Sequence, residues 1–168
     1  MWHFLNRPFF LTVQVWASGA AMVSKEHLQM VATHLAAENE HRMEDTLATL
    51  HTACVFEDVP MQRIYNGREG AREYYAAWWH AFDLKVGGGT RHFTDEGLMI
   101  AETRYVGRQV GDFFGIPARQ RPIELQLAVV IGFRDGLMNG ERFYYDLLSL
   151  LRQIGASPDE LQLDSRPE

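Results

Sequence analysis

A single cysteine, Cys54, among 168 residues means that no internal disulfide can hold this chain, so a hydrophobic core must do so. No Cys/His cluster has the spacing of a zinc site, and neither a metal nor any other cofactor is expected. Cys54 lies between Ala53 and Val55 and reads as a buried strand thiol. Positive charge is also scarce: 16 Lys and Arg face 22 Asp and Glu, a formal net charge of −6, with no basic block. That excludes the electrostatic footprint of a nucleic-acid binder. No apolar run is long enough to span a bilayer, so no membrane partner is expected. Internal repeats, low-complexity blocks and linkers are absent from residues 24–155.

What the chain does have is ring-bearing bulk. Ten Phe, six Tyr and four Trp suggest a core or a pocket built with large rings, within a length that suits one domain. The cytoplasm is the compartment most easily reconciled with the lone thiol. Residues 1–23 stand apart. The run from Pro8 to Trp16, followed by Ala17, Ser18, Gly19 and Ala20, faintly resembles a signal peptide. The charged start is thin, and the preferred reading is an extension upstream of a natural start at Met22. The domain is therefore placed at 24–155, with 156–168 as a flexible tail.

Within the domain, Ser24 is a plausible N-cap for a helix with Leu28, Val31 and Leu35 on one face. Glu38–Arg42 reads as a break before a second helix carrying Met43, Leu47 and Leu50. Thr52–Val59 reads as a strand ended by Pro60, Asn66-Gly67 as a turn, and Arg68–Phe82 as a strongly aromatic helix. Gly87-Gly88-Gly89 is flexible punctuation. Four strands follow, at Arg91–Asp95, Leu98–Arg108, Pro122–Arg134 and Asn139–Leu147. In the third of these, Ile123, Leu125, Leu127, Val129, Ile131 and Phe133 form one wholly apolar face. Helices first and an antiparallel meander afterwards is an α+β plan, a sheet wrapped round a helical layer.

On the last strand Arg142, Tyr144 and Asp146 share one face, and Glu141, Phe143 and Tyr145 the other. If the Asp146 face points into the core, its carboxyl is desolvated and becomes a candidate general acid or base. The alternative is that Asp146 caps the helix Leu147–Gln153. Tyr144, on the same face, is an oxyanion donor or a core ring, and Arg142 a rim or salt-bridge residue. Asp58, just before Pro60, is a second pocket carboxylate or an ordinary turn residue. Tyr74 and Trp78, four apart on the aromatic helix, are the better pocket pair. His92 is ambiguous between cavity and surface. Glu102 with Arg104, and Glu124 with Gln126, occupy polar strand faces suited to ion pairs or a subunit contact.

Asn66-Gly-Arg-Glu-Gly-Ala-Arg72, Gly111-Asp-Phe-Phe-Gly-Ile-Pro117 and Phe133-Arg-Asp-Gly, followed by Arg142-Phe-Tyr-Tyr-Asp146 and Gln153-Ile-Gly155, resemble the SnoaL-like polyketide cyclases. These belong to the nuclear transport factor two-like, ketosteroid-isomerase-like superfamily. The likeness runs from about Glu26 to Gly155. It implies a curved antiparallel sheet folded into a cone around the N-terminal helices, a cystatin-like α+β barrel with a pocket inside. It also implies a homodimer, and an Asp near the end of the last strand as acid/base, matched here by Asp146. The expected activity is intramolecular aldol cyclisation or isomerisation of a small hydrophobic carbonyl or polyketide substrate, without a cofactor. Where the family often carries Thr-Gly-Arg, this chain has Ala118-Arg119-Gln120-Arg121, which leaves substrate preference open. A second likeness, of Val55–Met61 to limonene-epoxide-hydrolase-like proteins, puts Phe56 and Asp58 at positions that orient water there, and Val106 where an Asp belongs. A non-catalytic small-ligand binder of the same fold is the third alternative.

Overall fold

Ser24 starts the first helix as the sequence suggests. In the computed structural model, which describes residues 22–162, its hydroxyl accepts from the His27 N–H at 3.3 Å, and its own N–H donates to His27 Nδ1 at 3.1 Å. The expectations for residues 1–21 and for the end of the tail fall outside the described residues. Helix α1 (Lys25–Asn39) buries Val31, His34, Ala37 and Glu38. The polar break then leads to a short α2 (Met43–Ala48). Strands β1 (Leu50–Asp58) and β2 (Arg63–Asn66) form a hairpin, and α3 (Gly67–Ala81) follows directly. The chain then runs through β3 (Phe82–Phe93), β4 (Met99–Gln109), β5 (Pro122–Arg134) and β6 (Leu137–Tyr145) into α4 (Leu147–Ile154).

The six strands form one curved, unclosed sheet in the order β2-β1-β6-β5-β4-β3, and the helices complete an α+β fold. The pairings are antiparallel except that β1 runs parallel to β6, a contact that sequence periodicity does not reveal. The core lies between the concave face and the helices. Ile123, Leu125, Leu127, Val129 and Ile131 are all buried there, as the alternation in β5 predicts. Helix α3 adds Tyr74, Tyr75 and Trp78, with the Tyr74 ring stacked 4.8 Å from Phe143. Among the described residues no helix is long and apolar enough to cross a membrane.

The element boundaries differ from expectation in three places. Arg63–Asn66, read only as the approach to a turn, is an edge strand. The three glycines at 87–89 do not interrupt the chain but sit in a register shift within a continuous β3. The segment after Gly155 is tied down as far as Gln162: Arg119 pairs with Glu160, and the Gln162 N–H donates to Phe114 O at 2.9 Å.

A fourth difference decides the site. The Asp135-Gly136 turn sets Arg134 opposite Leu137 and Phe133 opposite Met138, but the next partners are Gly132 with Gly140 and Ile131 with Glu141. Asn139 is therefore the extra residue of a bulge, and everything beyond it changes face. Gly140 makes this possible. Its φ is +124°, and a Cβ there would lie 1.9 Å from Val55 O. Without the bulge, Arg142, Tyr144 and Asp146 would look into the core. With it, Glu141, Phe143 and Tyr145 do, opposite Ile131, Val129 and Leu127.

Candidate active site

A cavity of about 210 Å³ opens on the concave face between α1, the bulged part of β3, and the inward residues of β4 and β5. Its walls are mostly apolar: Val31 and Leu35 from α1, Met99 and Ala101 from β4, Val129 and Ile131 from β5. Tyr105 and the carboxyl-bearing Glu141 supply polar groups inside, while Thr90 and Arg91 stand at the exposed rim. A smaller void of about 30 Å³ lies next to it, bounded by Glu38, Tyr74, Tyr75, Trp78, Trp79 and Tyr105, and has room for one water. Tyr105 belongs to both walls.

Behind these walls is a buried polar cluster. Tyr75 Oη lies 3.1 Å from Glu141 Oε2 and 2.9 Å from His34 Nε2. His34 is fully buried and its Nδ1 lies 2.7 Å from Thr49 Oγ1, whose hydroxyl donates to Thr46 O at 2.6 Å. The same Nε2 is 3.8 Å from Glu141 Oε2 and 4.0 Å from Glu38 Oε2. Tyr105 donates to Glu38 Oε1 at 3.3 Å. Burial pushes Glu38 up to about 7. It pushes Glu141 up to about 8, with repulsion from Glu38 adding to the effect. The same desolvation drives His34 down to about 4. Near neutrality the cluster thus offers a neutral imidazole beside two carboxyls that resist ionising together. Such a pair can give one proton and take another.

Asp146, expected at the base of the pocket, is exposed on the other side of the sheet. Its carboxylate accepts from the Ser149 N–H at 2.9 Å and caps α4, so the capping alternative is the one observed. Tyr144 is 42% exposed on the same outer face. Arg142 also lies there, paired with Glu57 at 2.5 Å. The cause in all three cases is the bulge at Asn139. Asp58 is buried, but it faces neither of these cavities. Tyr145 donates to it at 2.9 and 3.1 Å, the Met61 N–H donates at 3.2 Å, and the Trp78 side chain adds another bond. Desolvation still raises Asp58 to about 6.

Phe56 is a core ring packed on Tyr74, Tyr75 and Phe143 rather than a pocket wall. Tyr74 and Trp78 do share a wall, that of the small void. His92 does not line the cavity: it pairs at 3.7 Å with Glu102, which borders the rim, and Arg104 pairs with Glu124 at 3.2 Å, as polar strand faces should. His41 stacks on Trp79 at 4.9 Å.

His34, Glu38, Tyr75, Tyr105 and Glu141 escaped the sequence reading. A signal was there for two of them: His34 and Glu38 lie four apart among Val31, Leu35 and Ala37, polar residues on an apolar helical stripe. Tyr105 alternates with Glu102 and Arg104, so it had to face the core once they faced water. Glu141 could not be found without the bulge.

The family model for SnoaL-like polyketide cyclases matches residues 26–154. The chain belongs to the SnoaL-like polyketide cyclase family. Among solved structures, TsrD from Streptomyces laurentii is similar at 28% identity, with a TM-score of 0.70, covering 82% of this chain and 100% of its own. A candidate polyketide cyclase from Silicibacter sp. reaches a TM-score of 0.71 at 22% identity, over 81% of this chain and 100% of its own. A hypothetical protein of ketosteroid isomerase-like fold from Catenulispora acidiphila, bound to trimethylamine, shares the fold. It has a TM-score of 0.64 at 17% identity, over 83% of this chain and 98% of its own. No curated protein matches the chain.

Proposed function

We propose that this SnoaL-like protein is an acid/base enzyme that moves a proton at a carbon next to a carbonyl in a small hydrophobic substrate of polyketide type, as in aldol cyclisation or isomerisation. Glu141, rather than Asp146, is the group that exchanges the proton. The observation that carries this reading is the Glu141 carboxyl itself, 4% exposed, on the wall of a largely apolar cavity and within reach of Tyr75. A carboxyl whose affinity for protons is raised into the neutral range is matched to transfer at carbon. A dry cavity keeps the resulting enolate from water. Tyr105, which lines the same cavity, supplies a phenol for a developing oxyanion. The epoxide-hydrolase alternative has little to build on, because Arg104 is committed to Glu124 and Phe56 to the core.

The test is deuterium uptake from solvent into an enolisable ring ketone, β-tetralone, followed by NMR. Glu141→Gln should slow the enzyme-dependent uptake about a hundredfold or more, while Asp146→Asn should leave it near wild type. The opposite pattern would return the acid/base role to Asp146.

A further inference from the structure

We infer that Tyr75 and His34 form a proton wire leading from Glu141 in the large cavity to the buried imidazole, with Glu38 as its counter-charge and Thr49 fixing its direction. This deepens the reading of Glu141 as the acid/base and rests on it. Proton positions follow from the hydrogen bonds. Thr49 spends its only hydroxyl proton on Thr46 O, so towards His34 Nδ1, 2.7 Å away, it can only accept. The neutral imidazole therefore carries its proton on Nδ1, and Nε2 is left as an acceptor. The Tyr75 hydroxyl, 2.9 Å away, donates to it. Tyr75 oxygen then accepts from Glu141 when that carboxyl is protonated, across the 3.1 Å contact.

One concerted step uses this chain. The Glu141 O–H bond breaks as its proton passes to Tyr75 oxygen, and the original Tyr75 proton passes to His34 Nε2. Tyr75 stays a phenol, Glu141 becomes a carboxylate, and His34 becomes an imidazolium. One proton has left the cavity wall, and one is held on His34. Glu38 Oε2, 4.0 Å from Nε2, offsets that positive charge, and the reverse shift returns the proton to Glu141. No other reactant is consumed.

Glu38 suits the role of counter-charge. Its side chain is 11% exposed, against none for His34, and it borders the void with room for a water. The groups facing Glu141 and His34 are Glu38 from α1, Tyr74 and Tyr75 from α3, Tyr105 from β4, Cys54 from β1, and Thr46 and Thr49 beside α2. As a relay element, His34 is a positioning residue, and its contribution can be read without any substrate.

The experiment is nitrogen NMR of histidine-labelled full-length protein as pH is raised through the range in which Glu38 and Glu141 titrate. In the wild type His34 should show protonated Nδ1 and bare Nε2, and the Nε2 signal should move as Glu141 ionises. Glu141→Gln and Tyr75→Phe should each abolish that movement. Thr49→Val should release the tautomer, while Thr49→Ser should keep it, and this pair gives the answer should Tyr75→Phe not fold. Protonated Nε2 in the wild type, an unchanged tautomer in Thr49→Val, or a full response in folded Tyr75→Phe would overturn the wire. None of these results depends on β-tetralone exchange. Failure of the wire therefore leaves the assignment of Glu141 standing, and loss of that assignment shows only in the exchange assay.

Discussion

Two buried carboxyls on neighbouring strands, Asp58 at the end of β1 and Glu141 on β6, differ in what they can reach. Asp58 is held by the Tyr145 hydroxyl, a backbone N–H and an indole, and faces neither of the two cavities. Glu141 is held by the Tyr75 hydroxyl and opens on a cavity of about 210 Å³. Both are raised by desolvation. A raised proton affinity therefore does not by itself mark a reactive group. Access does, together with a bonding arrangement that leaves an oxygen free to act.

The comparison can be broken most directly by exchanging each acid for its amide. Glu141→Gln should cost about a hundredfold or more in ketone exchange, whereas Asp58→Asn should keep the activity and lose about 1–3 kcal/mol of stability, read from urea midpoints. A catalytically dead but stable Asp58→Asn would reverse the two roles.

The bulge that separates these carboxyls from Asp146 offers the next test. Gly140→Ala forces a side chain into a backbone at φ +124° and against Val55 O, and should cost several kcal/mol or prevent folding. Thermal melts of this variant beside Gly136→Ala separate the two glycines, since a Cβ at Gly136 meets nothing within 4 Å.

Stability should also depend on pH in a way set by the cluster. Glu38 and Glu141 hold their protons more tightly folded than unfolded, so their contribution is full below their ordinary value near 4.5. It is lost as pH rises through about 7 and 8. Asp58 acts in the same direction, but over a lower window that ends near 6. His34 has the opposite sign: its contribution is present above 6.5 and is lost as pH falls towards about 4. From pH 6.5 to 8 the carboxyl pair therefore dominates, and the wild-type urea midpoint should fall. Glu141→Gln should flatten that fall.

The smallest effect belongs to Asp146. As a cap on α4, Asp146→Ala should lower stability by about 1 kcal/mol and leave ketone exchange intact.

Much of the fold was legible in the chain, because periodicity and punctuation are local. The two-faced β5, the Ser24 cap, the aromatic α3 and the Asp135-Gly136 turn each carry their signal within a few residues. The last strand was legible as a strand, yet its facing was inverted. One extra residue at Asn139 reverses every side chain beyond it, and Gly140 allows that bulge because it lacks a Cβ: Val55 O lies where one would be, a contact between distant segments.

By itself, then, the sequence determined an α+β domain with helices before strands, the apolar face of β5, and the place of Asp146 beside α4. Only the tertiary structure decided which face of β6 looks inward. It thereby placed Glu141, and not Asp146, against His34, Glu38 and Tyr75. Alternation along a strand says which residues travel together. Which side they take depends on register, and register is settled by pairing with strands far away in the chain.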